Sequence, residues 1–199
     1  MSTAAPLLEI KNLKVIFHGD RGNTTHAVDG LDLTIQRGQT LGLVGESGCG
    51  KTVTALSVMG LLPRASAEVS GRIRFDGAEL LALSDRAMRN LRGDRLAMIF
   101  QEPMTSLNPS YSIGEQIAES LVRHRGLSRR QARARTIELL RLVKIPSPEQ
   151  RVDDYPHRLS GGMRQRAMIA LALACDPELL IADEPTTALT SRFRRRSSR

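Results

Sequence analysis

The chain has 199 residues, of which 41% are hydrophobic and 25% charged, as is typical of one soluble globular domain with at most a small insertion. It contains no apolar run near the ~20 residues that cross a bilayer, and its N-terminal residues lack the pattern of a secretory signal. The net charge is +8, but residues 190–199 hold five of the 29 basic residues and no acidic one, which leaves 24 basic against 21 acidic residues and argues against a nucleic-acid partner.

The pattern of apolar residues predicts strands and helices that alternate along the chain. The predicted strands are 7–17, 27–35, 39–45, 71–77, 95–100 and 178–183. The predicted helices are 53–62, 84–93, two helices within 112–145 that Gly126 and Ser128 separate, and 159–175. The strands within 95–100 and 178–183 have apolar centres and are expected to be buried. This order predicts an α/β fold with a largely parallel sheet and an insertion of helices at 112–158.

The sequence GESGCGKT, residues 45–52, fits the pattern G-x-x-x-x-G-K-[ST] and lies between a predicted strand and a predicted helix. Glycines let backbone N–H groups face inward around phosphate oxygens, and the helix N-terminus adds positive potential. We expect Lys51 to reach the β- and γ-phosphates of a nucleotide and the Thr52 hydroxyl to bind Mg²⁺. The expected nucleotide contacts here are Gly45, Glu46, Ser47, Gly48, Cys49, Gly50, Lys51 and Thr52. A chance glycine-rich turn is the alternative, and the strand-to-helix context disfavours it.

An acidic pair follows the last predicted strand. Asp183 stands at the end of the apolar run and Glu184 is next to it. An aspartate at this place can hold Mg²⁺, directly or through water, and the neighbouring glutamate can orient and deprotonate an attacking water. Without the phosphate loop upstream, this pair would indicate only a strand that enters a loop.

The predicted helix 159–175 begins with two glycines. Ser160 is a good N-cap residue, and Gly161 and Gly162 would let a phosphate approach the helix N-terminus. On this segment alone, an ordinary capping turn is the favoured interpretation.

Three stretches together resemble the ATP-binding subunits of ABC transporters, and specifically those of the dipeptide and oligopeptide permeases. They are GESGCGKT, IFQEPMTSLNP and YPHRLSGGMRQRAMIALALACDPELLIADEPTTAL, and the resemblance covers residues 7–189. It implies a P-loop NTPase core of the ABC type, with an antiparallel β subdomain and a helical subdomain at about 102–158. It also implies an ATPase that uses ATP and Mg²⁺ to drive the import of peptides or a related solute.

The resemblance assigns further residues. LSGGM, with Ser160, Gly161 and Gly162, would be the signature that touches ATP held by a partner subunit. Gln101 would contact Mg²⁺ and the attacking water; without the resemblance, its surroundings favour an ordinary loop glutamine. Phe17 would stack on adenine, although an isolated phenylalanine in a strand is more often part of the core.

The resemblance also implies partners and a location. The partners would be a second ATP-binding subunit in a head-to-tail dimer, transmembrane permease subunits that dock on the helical subdomain, and indirectly an extracytoplasmic solute-binding protein. The protein would then lie at the cytoplasmic face of the membrane. Having only Cys49 and Cys175 fits such a reducing compartment without disulfides. The basic residues of 123–144 favour a solvated helical face, with contact to anionic lipid as the alternative.

The chain departs from the family near its end. Thr190 stands where the family has an aspartate after Ala-Leu, and no histidine follows His157. We expect residues 1–189 to be an incomplete ATP-binding domain with impaired catalysis, and 190–199 to be a basic tail produced by a one-base frameshift. A non-catalytic nucleotide-binding fragment or pseudogene product is the alternative. A nucleic-acid binder or DNA-repair ATPase is a third, which the near-neutral body of the chain weakens.

Overall fold

The structure, a computed structural model, describes residues 5–19, 23–101 and 106–183. Glu184 and the tail 190–199, for which the sequence predicts a catalytic role and a frameshift respectively, lie outside the described residues. The chain divides into two compact units, Met1–Arg92 and Gly93–Arg199. The described part of each unit has its own sheet and its own helices.

The first unit contains a four-stranded antiparallel sheet. Its strands are β1 (Leu8–His18), β2 (Thr24–Ile35), β3 (Ala67–Phe75) and β4 (Ala78–Glu79), in the order β2-β1-β3-β4. Alternate residues of β1 are buried because successive side chains of a strand point to opposite faces. Ile10, Leu13 and Val15 of β1 and Ile73 of β3 are among its fully buried side chains. The three strands predicted in these regions are confirmed.

Two helices complete the first unit. Helix α1 (Lys51–Met59) ends at Gly60, which adopts the left-handed conformation (φ 60°) that glycine accepts without strain. A 3₁₀ turn at Leu80–Ala82 precedes helix α2 (Asp85–Leu91), which Ser84 caps by accepting a hydrogen bond from the backbone N–H of Ala87. Both helices lie where the sequence predicts them.

The strand predicted at 39–45 is wrong, because this segment has no regular secondary structure. Leu41, Leu43 and Val44 are exposed, and Val44 is 95% exposed. A strand requires a neighbour with which its backbone groups can form hydrogen bonds. In the described part of the first unit no strand pairs with this segment, so the apolar pattern alone does not produce one.

The second unit contains a parallel pair of strands, β5 (Leu96–Ile99) and β6 (Leu179–Ala182), in register from Leu96 opposite Leu179 to Ile99 opposite Ala182. All four residues of β5 are buried, as predicted. The predicted burial of β6 is wrong beyond Leu179, and Leu180 is 39% exposed. Among the described residues β6 pairs only with β5, so its other side is not covered.

The described helices of the second unit lie between these two strands in the sequence. They are α3 (Ile113–Arg125), α4 (Arg129–Leu142), α5 (Pro148–Arg151) and α6 (Gly161–Ala172), with a 3₁₀ turn at Pro156–Arg158 before α6. Helices α3 and α4 begin with capping boxes, formed by Ser112 with Glu115 and by Ser128 with Gln131. Their predicted separation at Gly126 and Ser128 is confirmed, and the α/β class is confirmed as well. The expected largely parallel sheet is wrong for the described strands, since only β5 and β6 pair in parallel and the other four strands are antiparallel. None of the described helices is long and apolar enough to cross a membrane.

Candidate nucleotide-binding site

The loop that precedes α1 requires glycine at two of its positions. Gly48 and Gly50 have φ values of 82° and 89°, in the left-handed region that side chains disfavour. A Cβ atom on Gly50 would also lie 2.5 Å from the carbonyl oxygen of Ala27 in β2. Gly50 is the N-cap residue of α1 and brings no side chain to the helix N-terminus. No side-chain cap therefore competes there with an anion.

Lys51 closes this loop. Its ammonium group donates hydrogen bonds to the carbonyl oxygens of Gly45 (2.7 Å) and Glu46 (2.8 Å), and lies 3.5 Å from Cys49 Sγ. The backbone N–H of Cys49 also donates to the carbonyl oxygen of Glu46, at 3.3 Å, which makes the turn compact. The side chain thus turns back and holds its positive charge against the loop. An ammonium in this position is suited to contact a phosphate that the loop surrounds.

The other residues predicted in the loop are accessible. Glu46, Ser47, Cys49 and Thr52 are exposed. Thr52 lies in the first turn of α1, one residue after Lys51. The structure therefore places residues 45–52 in one turn before and within the start of α1, exposed except at buried Gly50 and half-buried Lys51.

A cavity of about 350 Å³ lies between β2 and this loop. Cys49, Gly50, Lys51 and Thr54 line one side of it, and residues 27–31 of β2 line the other. Asp29 is among those β2 residues, and its carboxylate pairs with Lys14 at 3.1 Å. The side formed by β2 presents no unpaired positive charge, so the phosphate contact is assigned to the loop and Lys51.

Phe17 lies near the end of β1, where it pairs in register with Thr25 of β2 and Ala67 of β3. It is half-buried, whereas a core residue would be fully buried and a free stacking surface would be exposed. The residues that line the 350 Å³ cavity do not include it. Its role as an adenine contact stays a prediction.

In the second unit, Gln101 and Asp183 lie at the same edge of the parallel strand pair. Gln101 is exposed and follows the end of β5 by two residues, and Asp183 follows β6 directly. The backbone N–H of Asp183 donates to the carbonyl oxygen of Ile99 at 3.0 Å, which continues the pairing of the strands. Asp183 is only 8% exposed. A nearly buried carboxylate at the carboxyl end of a parallel strand is suited to bind a cation.

Ser160, Gly161 and Gly162 form the beginning of α6. The Ser160 hydroxyl accepts a hydrogen bond from the backbone N–H of Met163 at 3.4 Å, so this serine is an N-cap, as its sequence context indicates. All three residues are exposed, and a Cβ atom on either glycine would meet no atom within 4 Å. The helix N-terminus is therefore open to an approaching group. Contact with a second nucleotide stays a prediction.

The oxygen donors of Thr52, Gln101 and Asp183 are of the hard type that Mg²⁺ prefers. Within the described ranges no cluster of three or more histidine, cysteine, aspartate or glutamate side chains could hold a metal ion by itself. Mg²⁺ usually keeps several waters and takes its remaining ligands from one or two side chains and from substrate phosphates. Each of these donors is of the type that binds a Mg²⁺ ion arriving with a nucleotide. Thr52 belongs to the first unit and Gln101 and Asp183 belong to the second, and their coordination of one ion stays a prediction.

The sequence did not predict a second cavity or the residues around it. A groove of about 830 Å³ lies in the second unit between α3, the start of α4 and residues 152–155. Gly114 and Gln116, neither of which the sequence patterns singled out, line it together with Tyr111 and Tyr155. The capping box of Ser112 and Glu115 was visible as S-x-x-E and marks the start of α3 in the sequence.

Known proteins are similar to this chain in sequence over most of its length. Residues 28–187 match the family model described as ABC transporter. A probable peptide ABC transporter ATP-binding protein of Sinorhizobium fredii is 55% identical over 184 residues, which are 92% of this chain and 55% of that protein. A dipeptide transport ATP-binding protein of Bacillus subtilis is 52% identical, with the same coverage. The chain spans about half the length of these curated relatives.

Among solved structures, a dimeric ATP-binding cassette bound to ADP and Pi in a post-hydrolysis state superposes with a TM-score of 0.80 at 27% identity. The match covers 92% of this chain and 76% of that one. The resemblance of the three sequence motifs is thus confirmed at the level of the whole fold. The chain belongs to the ABC transporter family.

Proposed function

We propose that this protein is the ATP-binding subunit of a peptide importer and couples hydrolysis of Mg²⁺-ATP to transport. The observation that carries the proposal is the loop at 45–50, with Lys51 held against the carbonyl oxygens of Gly45 and Glu46. The names of two relatives, a peptide ABC transporter protein and a dipeptide transport protein, support peptides as the solute.

Each candidate residue has a separate role in the proposed reaction. Backbone N–H groups of 45–50 and the N-terminus of α1 bind the phosphates, and Lys51 exchanges its carbonyl contacts for phosphate oxygens. Phe17 stacks on the adenine. Thr52, Gln101 and Asp183 would supply oxygen ligands for Mg²⁺, and the bound ion would neutralise charge on the phosphates. Glu184 orients the attacking water and accepts its proton.

A second ATP-binding subunit is part of the proposal. The open N-terminus of α6, with Ser160, Gly161 and Gly162, presents backbone N–H groups to the nucleotide of the partner. Mutual contact of this kind makes a head-to-tail dimer, in which each subunit completes the site of the other. The solved dimer of an ATP-binding cassette, which shares the fold at a TM-score of 0.80, supports dimerisation, and the head-to-tail arrangement is proposed from the open N-terminus of α6.

The membrane partner is proposed to dock on the groove of the second unit. Tyr111, Val122 and Tyr155 expose apolar surface there, and Arg123 and Arg129 stand beside it. Exposed aromatic residues next to arginines are typical of protein interfaces. Docking of a permease subunit, which itself engages an extracytoplasmic solute-binding protein, would hold the subunit at the cytoplasmic face of the membrane.

Binding of Mg²⁺-ATP by calorimetry tests the nucleotide site. Lys51→Ala should weaken binding roughly 10- to 100-fold, because it removes a charged hydrogen bond to phosphate. Lys11→Ala is a matched control, since Lys11 is exposed on β1 and pairs only with Glu9 among the described ion pairs. Equal affinities of the Lys51→Ala variant and the parent would contradict the assignment. Glu184→Gln then separates hydrolysis from binding, since it should remove any turnover that this chain, with its expected impairment, retains and leave the affinity unchanged.

A further inference from the structure

The side chain of Gln116 forms hydrogen bonds that hold residues 108–112, the loop that leads into α3. Gln116 Nε2 donates to the carbonyl oxygens of Asn108 and Tyr111, both at 3.0 Å, and Gln116 Oε1 accepts from the backbone N–H of Asn108 at 2.9 Å. The same Nε2 lies 3.4 Å from the carbonyl oxygen of Ser112. A single amide group thus ties both ends of residues 108–112. In the sequence this loop follows Gln101 by only seven residues.

The start of α3 holds a second segment. The backbone N–H groups of Ile113 and Gly114 donate to the carbonyl oxygens of Asp154 (2.9 Å) and Val152 (2.8 Å). The first N–H groups of a helix have no partner within the helix, and here a distant part of the chain supplies them. Residues 152–154 lead, through the 3₁₀ turn at Pro156–Arg158, to Ser160.

Only glycine fits at residue 114. A Cβ atom there would overlap both the carbonyl oxygen and Cγ2 of Val152. The overlap with the backbone oxygen is decisive, because a smaller side chain at residue 152 would not relieve it. Gly114 is buried and has no φ in the left-handed region, so close packing, and not backbone conformation, accounts for it.

We infer that Gly114 and Gln116 are positioning residues that join the loop after Gln101 to the segment before Ser160. The inference rests on the proposed function, in which Gln101 and Ser160 contact two different nucleotides. Gly114, Gln116 and the start of α3 form this joint. A displacement of loop 108–112 moves the start of α3, which in turn moves residues 152–154. The groove proposed for the membrane partner includes both residues, so a bound partner would touch the joint directly.

Hydrogen-exchange mass spectrometry of the full chain without nucleotide tests the joint. Gln116→Leu removes all side-chain hydrogen bonds to 108–112 while keeping the volume similar. It should accelerate amide exchange roughly 2- to 10-fold in 108–112 and also in 152–159, which Gln116 does not bond. Gln150→Leu is the matched control, because Gln150 is exposed on α5 and makes no described side-chain hydrogen bond. Acceleration confined to 108–112 would overturn the inference.

Two further variants separate positioning from general destabilisation. Gly114→Ala should accelerate exchange in the same two segments, and adding Val152→Ala should not restore it. In Gln116→Glu, a protonated carboxyl can accept from Asn108 N–H and donate to one carbonyl, whereas the ionised form repels both carbonyls. Exchange relative to the parent at the same pH should therefore rise between about pH 4 and pH 7, around the ordinary carboxyl pKa. If the ratio of exchange rates between Gln116→Glu and the parent does not change with pH, the side chain of residue 116 does not hold loop 108–112.

Exchange measurements with Mg²⁺-ATP distinguish a failure of this inference from a failure of the proposed function. Saturating Mg²⁺-ATP should change exchange in 152–159 of the parent but not of Gln116→Leu. If ATP binds neither protein, the proposed function fails, while the nucleotide-free comparison still decides whether the two segments are joined. If ATP binds and changes 152–159 equally in both proteins, the inference is wrong.

Discussion

The thiol of Cys49 occupies the space that a side chain at residue 45 would need: a Cβ atom on Gly45 would lie 2.5 Å from Cys49 Sγ. The same Cβ would lie 3.7 Å from the Cβ of Cys49, which is an ordinary contact. A side chain at the first glycine of the phosphate loop would therefore require this one sulfur atom, or the loop that carries it, to move. Residues 45 and 49 form a matched pair, and two substitutions can test that pairing.

Gly45→Ala should weaken Mg²⁺-ATP binding, because the loop must shift to admit the methyl group. Overpacking of this kind costs about 1–3 kcal/mol, or roughly a 5- to 150-fold loss of affinity if it falls on the loop. Cys49→Ala should restore much of the loss, since it removes the sulfur and leaves the ordinary contact. Gly42→Ala is the control, because a Cβ there meets no atom within 4 Å. Additive effects of the two substitutions in calorimetry would refute the pairing.

Cysteine labelling should report directly on the loop. Cys49 is exposed and Cys175 is buried, and burial raises the pKa of the Cys175 thiol, so this thiol forms less of the reactive thiolate. A maleimide should therefore modify Cys49 first, and saturating Mg²⁺-ATP should slow that reaction. Mass spectrometry of the digested protein locates the adduct, with Cys175 as the internal reference. Labelling of Cys49 that ATP does not affect would show that the loop does not bind the nucleotide.

The pair of Arg133 and Asp153 should make stability depend weakly on pH. Two hydrogen bonds from Arg133, at 2.6 and 2.7 Å, hold the pKa of Asp153 below its ordinary value. A lowered carboxylate pKa contributes stability above the unfolded pKa, and this is lost as pH falls through the folded pKa. Because both side chains are largely exposed, Asp153→Asn should cost less than ~1 kcal/mol at pH 7.

Thermal unfolding followed from pH 7 down to about pH 2 measures this difference. The gap between Asp153→Asn and the parent should close at the acidic pH and shrink in high salt. Glu119→Gln serves as the control, since Glu119 takes part in none of the described ion pairs. A gap of more than ~2 kcal/mol that persists at acidic pH would show that Asp153 acts through something other than its charge.

The two capping boxes should contribute to the stability of the helices. Ser112→Ala and Ser128→Ala each remove a hydroxyl that accepts from a backbone N–H, Glu115 at 3.2 Å and Gln131 at 3.4 Å. Each should cost about 1 kcal/mol of unfolding free energy in a urea titration. Ser110→Ala should change little, because Ser110 uses its backbone N–H to contact Asn108. A cost at Ser110 equal to that at Ser112 would contradict the capping interpretation.

Local patterns predicted the elements that depend on nearby residues. Gly126 and Ser128 separate α3 from α4 because a left-handed C-cap and an N-cap are properties of a few neighbouring positions. Ser160 could be identified as an N-cap for the same reason. The phosphate loop was equally visible, since its glycines serve backbone conformations within the loop.

Elements that depend on distant partners could not be predicted in this way. The apolar stretch 39–45 has the composition of a buried strand, but its conformation depends on which strands lie beside it. Gln116 gave no signal, because its hydrogen bonds depend on how the preceding loop folds back over α3. Gly114 reads as an ordinary helical glycine until Val152, 38 residues later, is placed against it.

Leu41, Leu43 and Val44 expose a short apolar ribbon that carries no charge, no proline and no β-branched polar residue. Such a ribbon readily adds to the edge of another sheet or adsorbs to an apolar surface. Preparations of the protein should consequently behave differently at high and low concentration, with light scattering that grows on concentration and falls in mild detergent. Mild detergent is preferable to a charged substitution at Val44 for the experiments above, because Val44 precedes Gly45 and lines the cavity beside the phosphate loop.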